Sequence, residues 1–190
     1  MTRPIIVFDL DGTLIDTAPD LLASLNHCLT SVGLPPAEPT TFRSFVGMGG
    51  RVMIERAFAA QQRALDKVQL DELQQAFLEH YGGGLPGQRK PYPGVIDALD
   101  RFEAAGWIAA VCTNKYESLS TGLLGALDLS SRFAAICGQD TFAFRKPDPR
   151  HLTETIAQAG GDPSKALMVG DSRTDIDTAK AAGIPVVAVD

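Results

Sequence analysis

The chain opens on an apolar run without a polar break, Ile5-Ile6-Val7-Phe8. Such a run, between Pro4 and Leu10, predicts a strand buried on both faces. After Leu14 the pattern changes. Leu21, Leu22, Leu25, Cys28, Leu29 and Val32 recur at helical spacing. Thr17-Ala18-Pro19 offers this helix a start, with a hydroxyl able to cap and a proline in the first turn. Gly33-Leu34-Pro35-Pro36 ends it. Further helices are predicted near 39–46, 50–62 and 69–80, and no convincing strand lies between Asp16 and Lys90.

Gly82-Gly83-Gly84 through Pro93-Gly94 is a turn-rich connector, and beyond it strands and helices alternate. Helices near 94–105, 116–127, 149–159 and 173–182 separate strands at Trp107 to Cys112, Ala134 to Cys137, Ala166 to Val169 and Pro185 to Val189. Five strands in this rhythm predict an α/β fold with a parallel sheet and right-handed crossovers. An all-helical segment interrupts it after the first strand. Residues 1–15 and 91–190 would form the sheet domain, and 16–90 the insertion.

With 190 residues, 45% of them hydrophobic, the chain can bury a core without a disulfide scaffold. Cys28, Cys112 and Cys137 are odd in number, lack metal-ligand spacing and read as small core residues. A reduced, cytoplasmic compartment is the expectation. The N-terminus enters a strand at once, so no signal peptide is expected, and no apolar run is long enough to span a bilayer. The net charge of −6, with no basic stripe, argues against nucleic acid as a partner.

Candidate chemistry gathers at strand ends, where open parallel sheets bind ligands. Asp9 and Asp11 leave the first strand together, followed by Gly12-Thr13. Gly12 lets the backbone turn tightly, so that N–H groups can converge on an anion. Thr113-Asn114-Lys115 ends the second strand, where a hydroxyl and a backbone N–H can hold a phosphoryl oxygen. Lys146 precedes a rigid proline in Lys146-Pro147-Asp148-Pro149. Asp171 and Asp175 follow Val169 in Gly170-Asp171-Ser172-Arg173-Thr174-Asp175. Taken singly, each has a bland local reading: a capped turn, a solvated lysine, an N-capping Asp171 with a helix-dipole acid at Asp175.

In this order the four signals resemble the motifs of the haloacid dehalogenase superfamily. The fold so implied is a Rossmann-like parallel sheet with a small α-helical cap inserted after the first strand. The wording Asp16-Thr17-Ala18-Pro19-Asp20-Leu21, Phe45-Val46-Gly47, Thr113-Asn114-Lys115 and Lys146-Pro147-Asp148-Pro149 is most similar to phosphoglycolate phosphatases and their relatives. The resemblance implies a Mg²⁺-dependent phosphatase acting on a small phosphate monoester through an aspartyl-phosphate. Asp9 is then the nucleophile, and Asp11 the general acid and later the general base. The Asp9 carboxylate, the Asp11 carbonyl and the Asp171 carboxylate would hold the metal, with Asp175 behind them orienting metal-bound water. Thr113, Asn114 and Lys146 would bind the transferring group. Members of this superfamily usually continue past the last strand with a loop and a helix, whereas this chain stops at Asp190.

A β-phosphoglucomutase-like phosphotransferase or a pyrophosphatase would keep the same motifs. A receiver-like phosphoacceptor module, from a different class, also uses a strand-end Asp, Thr and Lys; the helical insertion and Asp11 speak against it. Four carboxylates against Lys146 give a site charge of −3. A phosphate dianion beside them would cost on the order of 4 kcal/mol per close like-charge pair at an effective dielectric of 20, which is the physical case for the cation. The same crowding should raise one carboxyl pKa, usefully that of Asp11. In the insertion, Arg43, Gly47 and Arg51 are candidates for reading a substrate carboxylate. His27, His80 and His151 have no partner pattern and read as surface or core. A monomer or homodimer is expected.

Overall fold

The computed structural model describes residues 3–42 and 49–190. Strand β1 (Arg3–Phe8) lies at the centre of a five-stranded sheet, with Ile5, Ile6 and Val7 fully buried. Central placement explains its composition, because both faces are covered. On one side β1 pairs in parallel with β4 (Ile108–Cys112), and β4 with β5 (Ala135–Cys137). On the other side it pairs with β6 (Gly161–Gly170), and β6 with β7 (Val186–Ala188), giving the order β5-β4-β1-β6-β7. The chain winds outward from β1 in both directions. Adjacent crossovers part there, leaving the crevice in which such sheets place their ligands.

The helices α5 (Val95–Ala104), α6 (Glu117–Ala126), α7 (Pro149–Gln158) and α8 (Arg173–Ala181) supply the crossovers. Leu152 and Ile156 of α7 pack on Ile5, Val7, Ala110 and Met168 in one cluster. Cys112 and Cys137 sit opposite each other in the β4–β5 register within that cluster. Together with Cys28 they are free and buried. Among the described residues, no helix is long and apolar enough to cross a membrane.

Contacts divide the chain into two compact units, Met1–Asp16 with Lys90–Asp190, and Thr17–Arg89. The second unit is helical, with α1 (Ala18–Ser31), α2 (Pro39–Phe42), α3 (Gly50–Ala60) and α4 (Lys67–Gly83). It has its own core, from Leu25 and Leu29 through Met53 and Ile54 to Leu73, Phe77 and Tyr81. Gly33, at φ +74°, closes α1 as the stop signal predicts, with Leu34 N–H donating to Leu29 O.

Three local expectations differ from the structure. Thr17 makes no capping hydrogen bond, and its buried hydroxyl has no partner among the described residues. Pro19, with its φ already helical, opens α1 instead. Helix α4 starts earlier than its apolar spacing suggests, because Asp66 caps it by accepting from Gln69 N–H at 2.9 Å. A short antiparallel pair, β2 (Ile15–Asp16) with β3 (Lys90–Pro91), has no counterpart in the pattern. Two residues cannot show a period of two, and only chain return brings them together.

Leu152→Ala should lower the unfolding free energy by about 2–5 kcal/mol, the cost of a cavity among fully buried neighbours. Urea denaturation followed by circular dichroism measures it.

Candidate active site

Asp9 stands one residue past β1 and is still held by the sheet, its N–H donating to Val169 O at 2.9 Å. Its side chain is only 4% exposed. Oδ1 accepts from Leu10 N–H at 2.7 Å and faces Lys146 Nζ at 3.0 Å. Both partners engage one oxygen, which fixes the rotamer and directs the other oxygen away from them.

The Gly12-Thr13 turn does more than bend the chain. Gly12 has φ +82°, and a Cβ there would collide with the Asp171 carboxylate. Thr13 Oγ1 donates to Asp171 Oδ1 at 2.9 Å. The turn was expected to gather N–H groups around an anion. In the structure it makes room for Asp171 and aims it.

Asp171 does not cap α8; Ser172 does. Ser172 Oγ accepts from Asp175 N–H at 3.2 Å, and Asp175 Oδ2 accepts from Ser172 N–H at 3.0 Å, a complete capping box. The local reading of Asp171 as an N-cap is therefore corrected, and its carboxylate is released for the site. Asp175 has no exposure, and its other oxygen, Oδ1, meets Lys146 Nζ at 2.5 Å. Gly170 is needed here, because a Cβ would stand 2.5 Å from the Asp175 side chain.

Lys146 is thus shared by Asp9 and Asp175. Two further contacts hold its backbone. Asn114 Nδ2 donates to Lys146 O at 3.0 Å, and Lys146 N–H donates to His151 Nδ1 at 3.2 Å. Burial, with Lys146 nearby, pushes the His151 pKa down to about 4. The imidazole is therefore neutral, and its Nδ1 can accept. His151 is a core residue, as its lack of a partner pattern suggested, but it also steadies the lysine. The available signal was its place in the first turn of the helix that follows Lys146-Pro147.

Thr113 N–H donates to Cys137 O at 3.0 Å, and Thr113 Oγ1 accepts from Lys115 N–H at 3.2 Å, leaving its own hydrogen to donate. Sequence reasoning passed over Lys115 itself. Its Nζ lies 2.8 Å from both carboxylate oxygens of Asp11, and the two side chains are only 5% and 9% exposed. Four carboxylates against two ammoniums leave a site charge of −2, not −3. The carboxyl whose pKa is pushed up to about 7 is that of Asp9. Burial is the main cause and the neighbouring carboxylates add to it, against the pull of Lys146. Asp171 is raised as well, chiefly by burial. Lys146 moves upward, since Asp9 and Asp175 outweigh its own burial.

Carboxylate oxygens of Asp9, Asp171 and Asp175 can lie within 4.8 Å of one another. An all-oxygen, anionic set of this kind suits a hard divalent cation. Of the candidates in the helical unit, Arg43 and Gly47 fall outside the described residues. Arg51 donates to Asp71 Oδ1 at 2.5 Å and to Gln74 Oε1 at 2.9 Å, inside its own unit.

A buried aspartate at a strand end, a shared lysine and a cluster of acids at the carboxyl edge of a parallel sheet are an arrangement suited to phosphoryl transfer. The chain belongs to the haloacid dehalogenase-like hydrolases, whose family profile matches residues 6–189. It is 69% identical over 190 residues to a phosphoglycolate phosphatase of Mesorhizobium japonicum, covering all of this chain and 84% of that protein. With a phosphoglycolate phosphatase of Agrobacterium fabrum it shares 50% over 186 residues, covering 98% and 80%. The crystal structure of a predicted phosphoglycolate phosphatase from Haemophilus somnus superposes with a TM-score of 0.88 at 31% identity, covering 99% of this chain and 85% of that one. The protein is a phosphoric monoester hydrolase of this superfamily, phosphoglycolate phosphatase-like, acting through an aspartate nucleophile.

The raised Asp9 pKa has a consequence for stability. The folded protein holds this proton near pH 7, the unfolded chain near pH 3.9. The resulting stabilisation is full below about pH 4 and is lost as pH rises through about 7. Metal-free protein should show a falling melting temperature across that window, and Asp9→Asn should flatten the fall. Thermal melts of both proteins in chelator measure it.

Proposed function

We propose that the protein hydrolyses phosphoglycolate through a phosphorylated Asp9, with Mg²⁺ as its cation. The carrying observation is the Asp9 geometry, one oxygen fixed by Leu10 N–H and Lys146 in a buried strand end. The 69% identity to a phosphoglycolate phosphatase over the whole chain supports the substrate.

In the first step an Asp9 oxygen attacks phosphorus while the bond to the ester oxygen breaks. Asp11 gives that oxygen its proton, so glycolate leaves as the alcohol. In the second step water attacks the same phosphorus. Asp11 takes back a proton, the bond to Asp9 breaks and phosphate departs. Thr113 donates its hydroxyl hydrogen to a phosphoryl oxygen, joined by Asn114 N–H, and Lys146 balances the charge that spreads over the phosphoryl oxygens. The Asp9 and Asp171 carboxylates and the Asp11 carbonyl would hold the cation, which supplies charge neutralisation and Lewis acidity when bound. Asp175 serves from behind, since Lys146 and Ser172 already occupy both of its oxygens.

The same reading takes residues 16–90 as a cap and places the protein in the cytoplasm, where its free thiols stay reduced. Its partner is a small anion rather than nucleic acid, in keeping with the net charge of −6.

Asp9→Asn should abolish phosphate release and leave a folded protein; wild-type turnover by this variant would end the covalent route. Chelator should silence the wild type, Mg²⁺ should restore it, and Ca²⁺ should do so poorly because its looser coordination misplaces the nucleophile. Full activity in chelator would remove the metal from the mechanism. Phosphoglycolate should exceed sugar phosphates and pyrophosphate in kcat/KM. A reversed order would refute the substrate while leaving the chemistry intact.

A further inference from the structure

Asp11 has to present an oxygen first to a leaving group and then to water, yet it sits on a loop, three residues beyond the last strand position. Something must fix its carboxylate. Lys115 Nζ lies 2.8 Å from each of its oxygens in a buried setting, which sets this pair apart from a screened surface ion pair.

The ammonium is itself anchored. Lys115 N–H donates to Thr113 Oγ1 at 3.2 Å, and Lys115 O accepts from Gln139 N–H at 2.9 Å. The loop after β5 closes so tightly on this segment that a Cβ on Gly138 would stand 2.6 Å from Lys115 O. One residue therefore ties the Asp11 carboxylate to the hydroxyl placed to bind the phosphoryl group, through a backbone with little freedom to move.

We infer that Lys115 is the positioning residue for Asp11, an inference resting on the acid–base role proposed for Asp11 above. The ammonium carries three donors. It can keep one Asp11 oxygen while the other turns to the ester oxygen or to water. Lys115 thus holds the proton-transfer group in register with the phosphoryl site and itself transfers no proton.

A purely structural ion pair would affect all substrates alike, whereas misplacing an acid penalises poor leaving groups most. The test compares wild type, Asp11→Asn, Lys115→Met, Lys115→Arg and the double variant Asp11→Asn/Lys115→Met on aryl and alkyl phosphate monoesters, with thermal melts as the folding control. Lys115→Met should lose about 10- to 100-fold in kcat/KM, which reports the phosphorylation step, on alkyl esters and little on activated aryl esters, the scale expected of a misplaced group. Its kcat should fall on both classes through slower hydrolysis of the shared intermediate. In the Asp11→Asn background it should cost nothing further. Lys115→Arg, which keeps a charged two-pronged donor, should retain most of the alkyl-ester rate. Equal losses of kcat/KM on both ester classes, or a full additional loss in the Asp11→Asn background, would overturn the inference. Should Lys115→Met not fold, the arginine variant and the double variant, which leaves no unpaired charge, decide the matter. If Asp11→Asn itself lowers kcat/KM equally for both classes, the general-acid role of Asp11 falls, and this inference with it.

Discussion

One buried ammonium organises the catalytic end of this protein. Lys146 Nζ lies between Asp175 Oδ1 and Asp9 Oδ1, and each of the three side chains is almost wholly removed from water. Without it, two carboxylates would face each other in a medium that screens poorly. Ion clusters of this kind seldom add stability beyond what an apolar core would give, because desolvation offsets the attraction. Function is the better reason for keeping one here. The lysine holds one oxygen of Asp9 and leaves the other directed elsewhere.

Everything around Lys146 serves to keep it still. Asn114 takes its carbonyl, neutral His151 takes its N–H, and Asp175 is locked by the capping box of α8. A helix cap, ordinarily a device of local stability, here orients a charge at the site. Steric economy completes the arrangement. Gly12 and Gly170 stand where a side chain would strike Asp171 and Asp175, so the acids approach the strand ends as closely as backbone permits.

The sheet explains why these groups meet at all. Asp9, Thr113 and Asp171 follow three adjacent parallel strands, β1, β4 and β6, and parallel strands carry their exits to one edge. Winding outward from β1 places Asp9 in the middle of that edge. Acids and bases distant in sequence then share one small volume, where burial and mutual repulsion lift the Asp9 pKa and a cation becomes the natural counterweight.

Much of this was legible in the residues. The unbroken run at Ile5–Phe8 marks a central strand because only burial on both faces permits it, and the alternation after Gly94 specifies the parallel sheet. The four strand-end signals, in order, named the family. Periodicity reports what one element buries, so it carries no word on pairs made across the fold. The Lys115–Asp11 contact and the His151 support of Lys146 depend on groups meeting from separate elements, whereas the α8 cap at Ser172 is a local capping box whose Ser172–Asp175 spacing the residues already carried. The β2–β3 pair is too short for any pattern and exists only because the chain returns. The sequence by itself determined which chemistry stands at each strand end, since each strand and its exit are local. Tertiary structure decided which oxygen faces which ammonium, because that choice belongs to groups brought together only when the sheet closes.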